Sequence, residues 1–366
     1  MKLVNRLKEG LLLKLLLWHT RKARIDKALA RLVTEAGQLG CSNRRDFGPQ
    51  KMDKVTVAAV QGKLELVSSV EQYVERMFRY TEKAARKGAQ LVVFPEDNGT
   101  HLLGLLPGMD KLGSDKGMDE ALKEMAGGEA KVADIFGFLG PVTNQVYHYT
   151  FSRLAQLFQV YIMPGSIIIP DEGGQVVNRA FLYDHQGRQV GSQTKLHLLP
   201  VEHTWGISCG QELKVFDTPL GKLAFPVCMD ASFYETFRLL TLMGADIILL
   251  PIANPEEYNY YKALRGIWPR VQENLVYGVK SALVGEAFGM TLTGKAGIYA
   301  PMELTPNRDG VIAESADSTG EGVVWATLDM QALWQQRAEK RSHNPFNVEL
   351  YEKYFPKAYE SFQHGN

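Results

Sequence analysis

Two stretches of this chain, residues 91–94 and 247–250, are apolar at every position. A strand with one face in water alternates polar and apolar side chains. One that does not alternate is buried on both faces, as in a sheet held between other layers. Each run follows a helical pattern that ends at a glycine. Residues 66–87 place Val70, Tyr73, Val74, Met77 and Tyr80 on one side and stop at Gly88. A second helix, with Thr236, Phe237, Leu239, Leu240 and Leu242, stops at Gly244. Residues 55–62 supply a strand ahead of the first helix. Strand, helix, strand predicts an α/β layered fold. The pattern continues with a helix over 144–158 and a strand over 161–170. Two hairpins follow, with arms 180–183 and 189–195, then 213–218 and 222–227. A helix over 259–277 precedes strands at 279–284, near Ile298 and at 323–328. No period of about 20–50 residues is present, which excludes repeat architectures.

At 366 residues the chain can bury one large core or two ordinary ones. Cys41, Cys209 and Cys228 form no CxxC or CxxH pair, so neither a disulfide framework nor structural zinc is expected. The zero net charge hides an asymmetry. Residues 1–50 carry eleven Lys/Arg against four Asp/Glu, a surplus of +7 that the remainder balances with 30 against 37. That split points to a basic appendage on an acidic body. Residues 1–18 mix Lys2, Arg6, Lys8 and Lys14 with leucines and Trp18, in apolar runs too short to span a bilayer. A second helical stripe follows at Ile25, Leu29, Leu32, Val33 and Ala36. Basic helices with leucines and a tryptophan have the make-up of an in-plane membrane anchor, with about 1 kcal/mol per Lys or Arg near anionic lipid. The alternatives are an arm packed on a partner subunit and a cleaved export signal. Lys14 interrupts the apolar stretch, and no small-x-small cleavage site follows it. Residues 1–37 are therefore assigned to a membrane surface, on its cytoplasmic face. Residues 42–53 read as a linker, and residues 98–142 as an irregular apolar region serving as lid, binding loop or subunit contact. Beside a membrane-bound arm, Leu102, Leu103, Leu105 and Leu106 would dip into lipid.

Residues 221–235 carry the chemistry. They read as the end of a hairpin, a buried strand, and then Cys228 where strand gives way to helix. Unpaired N–H groups at such a junction favour thiolate over thiol. A lone cysteine is otherwise most often a small buried core residue. Two more reactive side chains end predicted strands, Glu96 and Lys195, and ligands of open sheets collect beyond the carboxyl ends of strands. Taken singly, a strand-end glutamate or lysine is more often solvated or salt-bridged.

Taken together, Phe94-Pro95-Glu96, Thr194-Lys195-Leu196-His197-Leu198 with Pro200 and Glu202, and Cys228-Met229-Asp230 resemble the Glu-Lys-Cys signature of the nitrilase, or carbon–nitrogen hydrolase, superfamily. Gly244-Ala245-Asp246, Arg270 with Glu273-Asn274, and residues 294–301 extend the resemblance over about 54–330. It implies an α/β fold, the four-layer α-β-β-α sandwich, paired into a homodimer or higher homo-oligomer, with no metal or organic cofactor. The hydrolase domain would span 51–337, and 338–366 would form a tail in a subunit contact. The resemblance also implies roles. Glu96 is the general base, Cys228 the nucleophile and Lys195 an oxyanion donor with the Met229 backbone N–H. Glu202 orients Lys195, while Asn254 and Trp205 bind substrate. His197, His203, Arg270, Glu273 and Asn274 are structural, and Cys209 is not activated. Many relatives carry an arginine where this chain has Ala231-Ser232-Phe233, which disfavours a dicarboxylate substrate. The expected activity is hydrolysis of a linear, lipophilic or acyl-chain amide through a thioester. Acyl transfer and nitrile hydrolysis are the enzymatic alternatives, and an inactive adaptor is the non-enzymatic one. No motif for nucleic acid is present.

Overall fold

A computed structural model describes residues 2–37, 47–48, 50–109, 117, 120, 131–343 and 347–363. Cys41, half of the expected linker (42–46 and 49) and most of 110–130 lie outside the described residues. The helices are α1 (Lys2–His19), α2 (Lys22–Ala36), α3 (Val70–Arg86), α4 (Val132–Phe158), α5 (Pro200–Trp205), α6 (Tyr234–Leu242), α7 (Tyr260–Ala263), α8 (Ile267–Asn274), α9 (Met330–His343) and α10 (Val348–Gln363). Two compact units result, Met1–Met330 and Gln331–Asn366.

In the first unit the strands build one curled mixed sheet. One half holds β1 (Lys54–Lys63), β2 (Leu91–Val93), β3 (Tyr161–Met163), β4 (Ser166–Pro170), β5 (Val176–Tyr183) and β6 (Gln189–Thr194). The other half runs from β7 (Phe216–Thr218), β8 (Gly221–Ala224) and β9 (Ile247–Ile252) through β10 (Tyr277–Ala287) to β11 (Met290–Leu292), β12 (Gly297–Tyr299) and β13 (Val311–Glu314). β14 (Gly322–Asp329) lies antiparallel beside β1. The halves join where the far end of β1 pairs in parallel with β10, Gln61 opposite Ala282. β9 is buried at every position, and so is nearly all of β1. Helices cover the outer faces, α3 and α4 on the first half and α6 and α8 on the second. This is the expected α/β sandwich, and its continuous apolar runs exist because both faces of the sheet are covered.

The structure departs from the sequence reading in four places. Helix α4 starts at Val132, inside the stretch expected to be irregular, and carries Pro141 in its interior. The Gly-Phe-Leu-Gly-Pro segment reads as a breaker, yet Gly140 is there to let Pro170 approach. A Cβ at that position would lie 2.6 Å from the Pro170 ring. Burial of Phe136, Leu139, Val142 and Val146 offsets the backbone hydrogen bond that Pro141 removes. Leu102, Leu103 and Leu106 are core residues and do not reach outward. The strand expected over 161–170 breaks at Pro164-Gly165, where Gly165 has φ +77 and a Cβ would sit 1.6 Å from the Pro95 carbonyl oxygen. The helix expected over 259–277 divides into α7 and α8.

Helix α2 belongs to the body. Ile25, Ala28, Leu29 and Leu32 are buried, α2 packs on α3 and α4, and Arg24 pairs with Glu71 at 2.7 Å. Helix α1 buries Leu16 and half-buries Leu12, Leu13 and Leu17. Leu11, Leu15 and Trp18 stay exposed on one face, with Lys14 among them and the Arg21 guanidinium 4.5 Å from the Trp18 ring. No helix among the described residues is long and apolar enough to cross a membrane. Within the second unit, α10 leaves Val348, Leu350, Tyr351, Tyr354, Phe355 and Tyr359 exposed.

Leu32→Ala is expected to cost about 2–5 kcal/mol, the range for emptying a buried leucine site. Urea unfolding would report it as a lower midpoint; an unchanged midpoint would mean that α2 does not pack as described.

Candidate active site

Three strand ends converge. Glu96 stands three residues past β2, Lys195 one past β6, and Cys228 opens a 3-10 turn, Cys228–Ser232, after β8. Lys195 is 1% exposed and Glu96 2%. The Lys195 Nζ donates to Glu96 Oε1 at 2.8 Å and to both carboxylate oxygens of Glu202 at 2.9 and 2.8 Å. Glu202, in the first turn of α5, also accepts the Leu199 N–H at 2.7 Å. Glu96 Oε1 takes a further bond from Asn178 Nδ2 at 3.1 Å, while Oε2 takes the Ala253 N–H at 3.0 Å. The Cys228 thiol faces the Glu96 carboxylate and has a second acceptor in Asn254 Oδ1 at 3.7 Å.

Side chains to which the sequence reading gave no catalytic role hold this cluster together. Asp230, wholly buried, accepts the N–H groups of Leu196, His197 and Val227, so the segment after Lys195 is tied to the turn that carries Cys228. His197 Nδ1 lies 2.9 Å from the same carboxylate, and its ring stacks on Phe233. Asn178 bridges Glu96 to Asp97 Oδ1 at 3.2 Å. The Asn178 carbonyl oxygen also accepts the Lys195 N–H at 2.8 Å, which places the bridging side chain beside the ammonium. Asp97 has φ +56 and Cys228 φ +45, both in the left-handed region that costs a non-glycine residue about 1–2 kcal/mol. Asn178 is fully buried, and its one signal in the sequence is a polar residue set between Val176-Val177 and the apolar run 180–183.

Burial and charge set the protonation states. Burial lowers the Lys195 pKa, but Glu96, Cys228, Glu202 and Asp97 outweigh it and hold the group well above its usual value, as an ammonium. Burial pushes the Glu96 carboxyl up, Lys195 pulls it down and Glu202 pushes it up again. Asp97 is driven well above the usual carboxyl range by burial and by the charge of Glu96. The Cys228 thiol is also pushed well above its usual value, first by burial and then by the Glu96 charge. This corrects the expectation that the strand–helix junction favours thiolate: desolvation and a facing carboxylate dominate over the field of a short turn.

Glu96, Asp97, Thr100, Lys195 and Glu202 are the polar side chains lining a cleft that is otherwise apolar. Its apolar walls come from Leu64, Val201, Trp205, Leu283, Phe288 and Met290. Lys195 is the only basic residue among those lining it. Residues 56–338 match the family profile described as carbon-nitrogen hydrolase, well over half of the chain. The chain belongs to the carbon–nitrogen hydrolase family.

Among curated relatives it is 29% identical over 307 residues to the Bacillus subtilis protein named "Probable hydrolase YhcX", with 81% of this chain covered. It is 27% identical over 285 residues to the nitrilase of Pyrococcus abyssi, covering 77% of this chain and 93% of that protein. The chain spans 55% of the length of the Bacillus protein, and 60% of a Pseudomonas protegens hydrolase that it matches at 29% identity over 180 residues, 49% of this chain. A Helicobacter pylori carbon–nitrogen hydrolase shares the fold at TM-score 0.62 and 18% identity, covering 82% of this chain and 98% of that one. A mutant Nesterenkonia amidase, solved with acrylamide added to its active-site cysteine, superposes at TM-score 0.56 with 18% identity, covering 79% and 99%.

Within this carbon–nitrogen hydrolase, the structure gathers Glu96, Lys195, Glu202 and Cys228, with Asn254 against the thiol and Trp205 on the cleft wall. The Met229 N–H, in the first turn of its segment, has no acceptor within that turn. Arg270 of α8 bonds to the carbonyl oxygens of Ala231 and Ser232, bracing the nucleophile turn from behind.

Glu96→Gln removes the charge that raises the Cys228 thiol. The variant is therefore expected to form thiolate at lower pH than the wild type. Absorbance at 240 nm, with the Cys228→Ala trace subtracted, measures this; an equal or higher midpoint would contradict the electrostatic account.

Proposed function

We propose that this chain hydrolyses a linear, non-peptide amide through a thioester on Cys228. The observation that carries the reading is the division of labour on Glu96. Oε1 takes the bonds from Lys195 and Asn178 and Oε2 only the Ala253 N–H, while the carboxylate faces the Cys228 thiol, so Oε2 is the oxygen we assign as the base. Glu96 takes the thiol proton as sulfur attacks the carbonyl carbon. Charge collects on the substrate oxygen, where Lys195 and the Met229 N–H are the donors. Collapse breaks the C–N bond, and the proton on Glu96 leaves with the amine. Water then adds to the thioester, giving its proton to Glu96 and releasing acid and thiol. Because the resting thiol is neutral, proton transfer accompanies attack.

The apolar walls favour an uncharged acyl group, and among the described residues lining the cleft the only basic one, Lys195, is already held by Glu96 and Glu202. Nothing among the described residues selects a nitrile, and nitrile hydrolysis stands as an enzymatic alternative. The exposed face of α1, with Leu11, Leu15, Trp18 and Arg21, is the part we assign to a membrane surface, which would bring acyl-chain amides close. Exposed Leu239, Leu242 and Met243 on α6, and the aromatic residues of α10, are the surfaces we assign to a second copy of this chain.

Cys228→Ala is expected to abolish turnover of short- and long-chain acyl amides while leaving thermal unfolding intact. Glu96→Gln should lower kcat by about a hundredfold or more. Activity retained in either variant sinks the mechanism. Hydroxylamine tests the acyl-transfer alternative, since hydroxamate formed in preference to free acid would mark a transferase. For the membrane assignment, a triple Leu11→Ser, Leu15→Ser, Trp18→Ser variant keeps the buried face of α1 and should lose cosedimentation with anionic vesicles. Wild-type protein that never sediments with them removes the assignment.

A further inference from the structure

Trp205 is 7% exposed, and its indole Nε1 is buried with no hydrogen-bond partner among the described residues. Buried donors are almost always paired, so an orphan on the wall of a reaction cleft is a group waiting for an acceptor. Its place in the chain says where that acceptor would lie. Trp205 closes the two-turn α5, three residues after Glu202, and both side chains are buried against the same cleft. Residues three apart share a helix face. Glu202 grips Lys195, the donor expected at the scissile carbonyl. An acyl chain entering past Leu64, Phe288 and Met290 would therefore meet Trp205 a few bonds beyond that carbonyl.

We infer that Trp205 is a specificity residue whose indole N–H donates to an oxygen in the acyl part of the substrate, selecting oxygenated acyl amides over hydrocarbon ones. This rests on the amide reading above. The surrounding walls accept methylene groups anywhere along the chain, whereas a buried donor discriminates sharply against a substrate that leaves it unpaired. The acceptor is an ether, hydroxyl or carbonyl oxygen, not a carboxylate, since Glu96, Asp97 and Glu202 line the same cleft and Lys195 is the one basic residue described beside them.

The test uses hexanamide and its isosteres with an ether oxygen replacing the methylene at chain position 3, 4 or 5. Wild-type enzyme is expected to prefer one ether by about tenfold in kcat/KM. Trp205→Phe keeps an aromatic ring and loses the donor, so the ratio of ether to hexanamide kcat/KM should fall to about one, whatever the change in hexanamide turnover itself. No preference in the wild type, or a preference that Trp205→Phe leaves unchanged, overturns the inference. A second readout works without turnover. The indole N–H resonance of Trp205, assigned by its absence in Trp205→Phe, should shift when the preferred ether is added and not when hexanamide is. If no amide is hydrolysed, the amide reading fails by itself, and the resonance still decides whether Trp205 binds the ether. A resonance that never moves overturns the assignment.

Discussion

A lysine ammonium sealed from water between two carboxylates governs this site. Lys195, Glu96 and Glu202 are all nearly inaccessible, and N–O distances of 2.8–2.9 Å bind the ammonium to both carboxylates, with two of the three contacts on Glu202 alone. An isolated charge at that depth would neutralise itself, so each member depends on the others. The arrangement keeps an anion on Glu96 without an exposed carboxylate. It also places a cation where a substrate oxygen would gain negative charge. The same anion suppresses ionisation of Cys228, so the sulfur waits as a thiol beside its own base.

Holding charges this close takes scaffolding. Asp230 ties the backbone after Lys195 to the turn bearing Cys228 through three N–H groups. Gly165 sits against the Pro95 carbonyl where no side chain would fit, while Ser166 Oγ accepts the Asp97 N–H at 3.1 Å. These contacts hold Asp97 in its left-handed conformation and aim Glu96 at the thiol. On the substrate side the protein supplies the opposite environment, apolar walls around one unpaired indole donor. The proposed chemistry and the proposed selectivity thus draw on different side chains lining the same cleft.

Glu96, Lys195 and Cys228 each end an expected strand, and they were legible because together they resemble the family signature. Glu202 was legible only through the family resemblance. Asn178, Asp97 and Asp230 were not. Their roles depend on register, such as Arg179 of β5 lying opposite Thr194 of β6, and no local pattern encodes which backbone groups a side chain will meet. The start of α4 was hidden by Gly140-Pro141, whose purpose is a close approach to Pro170 thirty residues away. Helix α2 illustrates a different limit. An apolar stripe has the same spacing whether lipid, a second subunit or the protein's own helices cover it, and here α3 and α4 do. The protonation state of Cys228 was misread because desolvation, the largest influence on it, is a property of packing.

The central claim is that the substrate's acyl group passes onto the sulfur opposed by Glu96. Quenching the enzyme in acid during turnover of an anilide, then mapping peptides by mass, tests it most directly. The account requires a mass gain equal to the acyl group on the peptide containing Cys228, confined to that sulfur. An acyl group found on any other side chain during turnover would contradict it.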